Sequence, residues 1–226
     1  MADIIEIQLY LLAVVVLTLV SICAYRVKKN FKTERRNSTI FFLSIWAFAI
    51  IVVVFGLAGK YAPYASQLAA ILLRIGDSFS IVVLLSMTFF ANSILFGTIY
   101  REKKAKIITL YVVVEAIVIL ILFWVMPVSF LPAVTYNEIT YGLNELITIA
   151  YFPLIAPILY VFIKMERIDP GNKWKYRLYL AGFIGAIVEL AFDMPGTLPE
   201  LLFVWRCFAL GGMALIIIAL LLPRSD

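Results

Sequence analysis

The sequence predicts an all-α integral membrane bundle of seven transmembrane helices, with the N-terminus outside the cell and the C-terminus in the cytoplasm. Three observations predict it. The 226 residues are 64% hydrophobic and only 15% charged, with a mean hydropathy of +1.04, more apolar side chain than a soluble domain of this size can hide from water. Apolar runs of spanning length follow one another with short links between them. The basic residues gather in alternate links.

The spans are read at about 4–25, 39–59, 66–99, 107–126, 140–164, 176–194 and 199–222. The first is preceded by Asp3 and Glu6 rather than a basic segment and is followed by a positive cluster, so a stop-transfer order and no cleaved signal peptide are expected. The third is long enough to tilt or to extend past the membrane. The fifth contains Pro153 and Pro157, one turn apart, which predicts a kink and freed carbonyls in need of partners. The sixth carries Ala181, Gly182, Gly185 and Ala186, small residues that permit close helix contact. The runs do not alternate apolar with polar residues, which argues against β-barrel strands. No repeat relates helices 1–3 to helices 5–7. A single domain over 1–226, with no soluble appendage, is expected.

Link charges set the orientation. Arg26, Lys28, Lys29, Lys32, Arg35 and Arg36 lie between helices 1 and 2, and Arg101, Lys103, Lys104 and Lys106 between helices 3 and 4. Lys164, Arg167, Lys173, Lys175 and Arg177 join helices 5 and 6, and Arg224 follows helix 7. The opposite links hold Lys60 as their one basic residue, beside Glu138, Asp193 and Glu200. Sixteen against one is a clear positive-inside bias. The net charge of +5 therefore belongs to orientation and anionic headgroups, and nucleic acid is not an expected partner. Tyr61, Tyr64, Trp124, Tyr136 and Tyr141 mark the outer boundary, and Tyr100, Trp174, Tyr176 and Tyr179 the inner one. Cys23 and Cys207 differ in depth, so no disulfide is expected between them.

The informative residues are the ionisable ones inside the spans. They are Arg74 and Asp77 on helix 3, Glu115 on helix 4, Glu145 on helix 5, Glu189 on helix 6 and Arg206 on helix 7. Each costs roughly 2.5–3.5 kcal/mol near a helix centre unless it finds a partner. At about 1.5 Å per residue, Arg74 and Asp77 lie roughly 12 and 16 Å below the outer end of helix 3. All but the mid-membrane Glu115 belong to the outer half, where Asn144, Thr148 and Tyr151 of helix 5 and Ser78 and Ser80 of helix 3 add hydrogen-bonding groups. The inner half of most helices is nearly apolar. Arg74 and Asp77, three residues apart, can pair on their own helix, and Arg206 can take Glu189. Two arginines against four acids leave carboxylates unmatched, with no cation at the depth of Glu115.

Histidine is absent, which removes His-ligated haem, His-based zinc sites and Ser/His or Cys/His catalysis. With no metal-spaced cysteine pair and no phosphate loop, neither an enzyme nor a metal site is expected. Arg74-Ile-Gly-Asp77 resembles the Arg-x-x-Asp of the third helix of microbial rhodopsins. Their retinal needs a lysine midway along helix 7, which this chain lacks, so covalent retinal is excluded and no cofactor is expected. Over the whole chain the layout resembles the seven-helix N-terminal sensor region of prokaryotic histidine kinases. The likeness is carried by Arg35-Arg36 leading into a Phe/Trp-containing helix 2, Arg74 early in helix 3, Tyr141-Gly142 opening helix 5, and Trp174 to Arg177 leading into helix 6. No kinase, PAS or cyclase domain is expected after Asp226, so the resemblance implies output through a partner or a domain that acts alone.

The leading expectation is a receptor-like or sensor-type protein of the cell membrane. A small extracellular ligand or ion would meet Arg74, Asp77, Glu115, Glu145, Glu189, Arg206, Asn144 and Tyr151, and the basic inner links would face a cytoplasmic partner. Two other readings stay open: a proton or ion channel or transporter using Glu115, and a structural subunit with a closed salt-bridge network. The bilayer is a partner in all three, and a second copy of the chain is compatible with each.

Overall fold

In hydrocarbon nothing but the chain itself can satisfy a backbone amide, so long apolar segments close their hydrogen bonds internally as helices. The computed structural model describes residues 2–30, 36–96, 103–130, 136–137, 139–142, 144–193 and 199–222. Among these the long helices are α1 (Ala2–Asn30), α2 (Arg36–Tyr61), α3 (Gln67–Phe96), α4 (Lys103–Val125), α5 (Asn144–Ile168), α6 (Lys173–Asp193) and α7 (Pro199–Leu221). Four helical stretches, Ile40–Tyr61, Gln67–Ser93, Lys106–Val125 and Phe203–Leu221, are long and apolar enough to cross a membrane, and α1 holds a shorter apolar stretch, Tyr10–Tyr25. Exposed apolar side chains such as Leu17, Val54, Val118, Ile121 and Phe208 form surface that lipid tails can cover and water cannot.

The fifth helix starts later than expected. Residues 139–141 do not open α5 but form β2 (Ile139–Tyr141), which pairs antiparallel with β1 (Val128–Phe130), Ser129 opposite Thr140. A short β-hairpin therefore sits on an otherwise helical fold. From Asn144, α5 runs as continuous helix through Pro153 and Pro157 to Ile168. At its far end the 3-10 turn Pro170–Asn172 leads directly into α6.

Helix α3 is the hub, packing against α2, α4 and α5. The chain closes on itself where α1 meets α7, and α4 is seated against α3 and α5. Two contacts are close enough to need glycine. A Cβ at Gly59 of α2 would lie 2.6 Å from the Leu73 side chain of α3. Between α6 and α7, a Cβ at Gly182 would lie 2.6 Å from the Gly212 carbonyl oxygen, and one at Gly185 2.6 Å from that of Phe208. Backbone thus lies on backbone, the small-residue contact expected of helix 6. Ala181, by contrast, faces outward, and Ala186 is buried.

Toward the α5–α6 turn the core is aromatic. Phe42, Phe90, Phe162, Tyr179 and Phe183 join α2, α3, α5 and α6, with ring centroids such as Phe42–Phe90 at 4.8 Å and Phe162–Phe183 at 5.3 Å. That half is less apolar than the sequence suggests. Ser86, Thr88, Asn92 and Ser93 of α3 are all buried there, and Asn92 Nδ2 donates to Thr109 Oγ1 of α4 at 3.1 Å.

Candidate functional site

The hairpin end of the bundle is built around two connections, the α2–α3 turn and the hairpin. Ala65 in that turn has φ 52°, a left-handed conformation that costs a residue with a Cβ about 1–2 kcal/mol. Its N–H is held by Asn137 Oδ1 at 2.8 Å. The same side chain donates from Nδ2 to the carbonyls of Gly59 at 3.1 Å and Ala62 at 2.8 Å, while its backbone N–H donates to Lys60 at 3.1 Å. Asn137 is 1% exposed and clips the segment preceding β2 onto the α2–α3 turn. Ser66 then caps α3, its Oγ accepting the N–H of Ala69 at 3.1 Å. Lys60 Nζ lies 5.1 Å from the centre of the Tyr136 ring, a further tie between the two connections.

Below this clip, β2 reaches α3 directly. The hydroxyl of the buried Tyr141 donates to Asp77 Oδ2 at 2.5 Å, and its ring packs on Phe123 of α4 at 4.9 Å. A phenol-to-carboxylate hydrogen bond away from water contributes about 1.5–3 kcal/mol. Asp77 lies ten residues into α3, about 15 Å along its axis, so the hairpin reaches well below the helix ends.

Arg74 does something the sequence did not suggest. Its Nη1 donates to the carbonyl of Trp124 at 3.1 Å and its Nη2 to that of Met126 at 2.7 Å. These carbonyls belong to the C-terminal end of α4, where acceptors lack partners within the helix and the dipole favours a cation. Trp124 returns the contact: its Nε1 donates to Ser78 Oγ at 3.1 Å, and Ser78 Oγ donates to the Arg74 carbonyl at 2.7 Å. Three of these bonds lock α3 to the end of α4, and the fourth, within α3, orients Ser78 for its part in them. Both terminal nitrogens of Arg74 thus serve backbone rather than the own-helix pairing with Asp77.

The other candidates are placed more simply. Arg206 of α7 is 1% exposed, one turn from the contact in which Gln8 of α1 donates to the carbonyl of Phe203 and to Cys207 Sγ, each at 3.3 Å. Glu115 is half-buried midway along α4. It makes no hydrogen bond or ion pair with a described residue. Thr109 and Trp124, which bond to α3, share one flank of α4, and Glu115 lies on the opposite flank of its buried stripe Val112, Ala116, Ile119 and Phe123. Asn144, Glu145, Thr148 and Tyr151 lie on α5 and Glu189 on α6, with their side chains outside the described residues. The structure thus joins Asp77 to Tyr141 and gives Arg74 to α4.

Asn137 is the residue that sequence reasoning missed. The signal was present: a lone amide in an apolar connection, between an aromatic and a carboxylate, in a link that must be satisfied without water. Among the described residues no three metal-ligating side chains converge. No family model matches the chain, and no curated protein is significantly similar to it.

Proposed function

We propose that the chain is a receptor-like, sensor-type protein of the cell membrane with seven spans, its hairpin end outside and its α5–α6 turn in the cytoplasm. The hairpin is the receiving element and α3 the transmitting one. The observation that carries this reading is the bond from Tyr141 to Asp77. It ties an outer connection to the helix that touches α2, α4 and α5, so a ligand or ion that displaces Tyr141 also acts on the hub. Differential contact of this kind is what a ligand needs in order to shift a conformational equilibrium. The positive-inside pattern of the links and the resemblance of the sequence layout to the sensor regions of histidine kinases support the same reading, with a cytoplasmic partner receiving the output.

The test needs no ligand. With Cys23 and Cys207 changed to alanine, spin labels placed at Lys103 and Arg167 report the cytoplasmic ends of α4 and α5. Tyr141→Phe and Asp77→Asn are expected to change the distance distribution between them. Distributions identical to the parent, in variants that remain folded, would sink the transmitting role.

A second reading, proton or ion transport, is favoured by one observation: Glu115 has no partner among the described residues, and intramembrane carboxylates in that condition mark ion paths. Under an imposed gradient, flux into liposomes that disappears in Glu115→Gln would establish it. Absence of flux from folded, reconstituted protein removes it.

A further inference from the structure

Helices α5 and α6 are antiparallel neighbours, and each turns an exposed stripe outward at helical spacing. On α5 the stripe is Tyr160, Ile163 and Arg167; on α6 it is Trp174, Arg177 and Ile184. Both stripes place their cation at the turn end and their aliphatic side chain toward the bundle centre. Trp174, 73% exposed, stands at the turn end of its stripe with the Arg177 guanidinium 5.3 Å from its ring centre.

Glu166 fastens the seam. It accepts from Arg177 Nε at 3.0 Å and Nη2 at 2.7 Å, and lies 3.4 Å from Lys173 Nζ. The other local carboxylate, Asp169, is engaged by the Tyr176 hydroxyl at 3.0 Å and by Asn172 Nδ2 at 3.1 Å. Residues 164–177 contain five cations and two carboxylates, so positive charge is left over. Arg167, exposed, makes no hydrogen bond or ion pair with a described residue.

A cationic collar that includes an exposed indole, above the outward-facing Ile163 and Ile184, matches an anionic phospholipid in both parts. We propose that the α5–α6 seam binds one, its phosphate held by Arg167 and Lys173 beside Trp174, and an acyl chain lying along Ile163 and Ile184. The site requires α5 and α6 to span the bilayer and is independent of the signalling reading.

The protein is reconstituted in phosphatidylcholine vesicles doped with tail-brominated phosphatidylglycerol or tail-brominated phosphatidylcholine. The quenching belonging to Trp174 is taken as the difference between the parent and Trp174→Phe. Phosphatidylglycerol is expected to quench it preferentially. Arg167→Gln, a change at an exposed side chain that leaves the Glu166 contacts intact, is expected to lower that preference roughly fivefold, the effect of one basic residue at an anionic surface. Millimolar inorganic phosphate is expected to leave the preference unchanged. Equal quenching by the two lipids, a preference untouched in the combined Arg167→Gln and Lys173→Gln variant, or its loss to free phosphate would each overturn the lipid site. Absence of quenching by either lipid would overturn it together with the spanning of α5 and α6.

Discussion

The amide of Asn137 joins two connections that are far apart in sequence, and the cost of losing it follows from what it would leave behind. Replacement by alanine strands the carbonyl of Ala62, leaves that of Gly59 with the 3.4 Å bond from the Ala62 N–H, and releases the N–H of Ala65 while that residue still holds φ 52°. Asn137→Ala is expected to destabilise by about 3 kcal/mol, read as a lowered Tm in detergent. Adding Ala65→Gly should return part of it, because glycine takes a positive φ without strain. An unchanged Tm in the single variant would contradict the clip. At this scale the sequence was legible in type but not in pairing. Arg74 and Asp77 stand out as intramembrane charges, and both are joined to other elements. Their partners are a tyrosine readable as an interfacial anchor and two carbonyls that no side-chain pattern displays. The end of α4 was foreseeable near Met126, and its unsatisfied carbonyls were the available clue.

Between elements, contact is closest where α6 meets α7. A Cβ at Gly212 would lie 2.5 Å from the Gly182 carbonyl oxygen, whereas one at the adjacent Gly211 would meet nothing within 4 Å. Gly212→Ala is therefore expected to cost about 1–3 kcal/mol and Gly211→Ala to change the Tm little, a comparison that holds helix propensity constant. Equal effects would mean that the backbones do not touch. The α5–α6 turn depends on charge instead. Hydrogen bonding from Arg177 holds the Glu166 carboxyl below its ordinary value of 4.5, with the charge of Arg177 and the Lys173 contact acting in the same direction. The sign follows: a depressed carboxylate contributes order that is complete above pH 4.5 and lost as the pH falls through its lower, folded value. A nitroxide at Ile168→Cys should give a constant line shape at neutral pH and a sharper one in acid, and Glu166→Gln should abolish the change. The small residues of helix 6 were legible from spacing alone. The hairpin was not, because three-residue strands leave too little alternation to separate them from the flanking apolar runs.

For the whole molecule, the helical membrane character was plain in composition, since a chain this apolar has no way to fold around water. The apolar runs correspond to the seven long helices among the described residues, while the number that span and their orientation are a proposal drawn from the basic residues of alternate links. The hub role of α3 was hidden, because which helices touch is decided by packing between faces and not by the order of the spans. The proposed function requires the hairpin and the α5–α6 turn to lie on opposite sides of the membrane, with α5 crossing between them. In a background with Cys23 and Cys207 replaced by alanine, single cysteines at Ser129 in β1 and at Arg167 near the end of α5 offer one exposed thiol at each end. A membrane-impermeant maleimide applied to intact cells is expected to label Ser129→Cys at once and Arg167→Cys only after permeabilisation. Labelling of both positions from the same side would show that α5 does not span and would contradict the seven-span receptor.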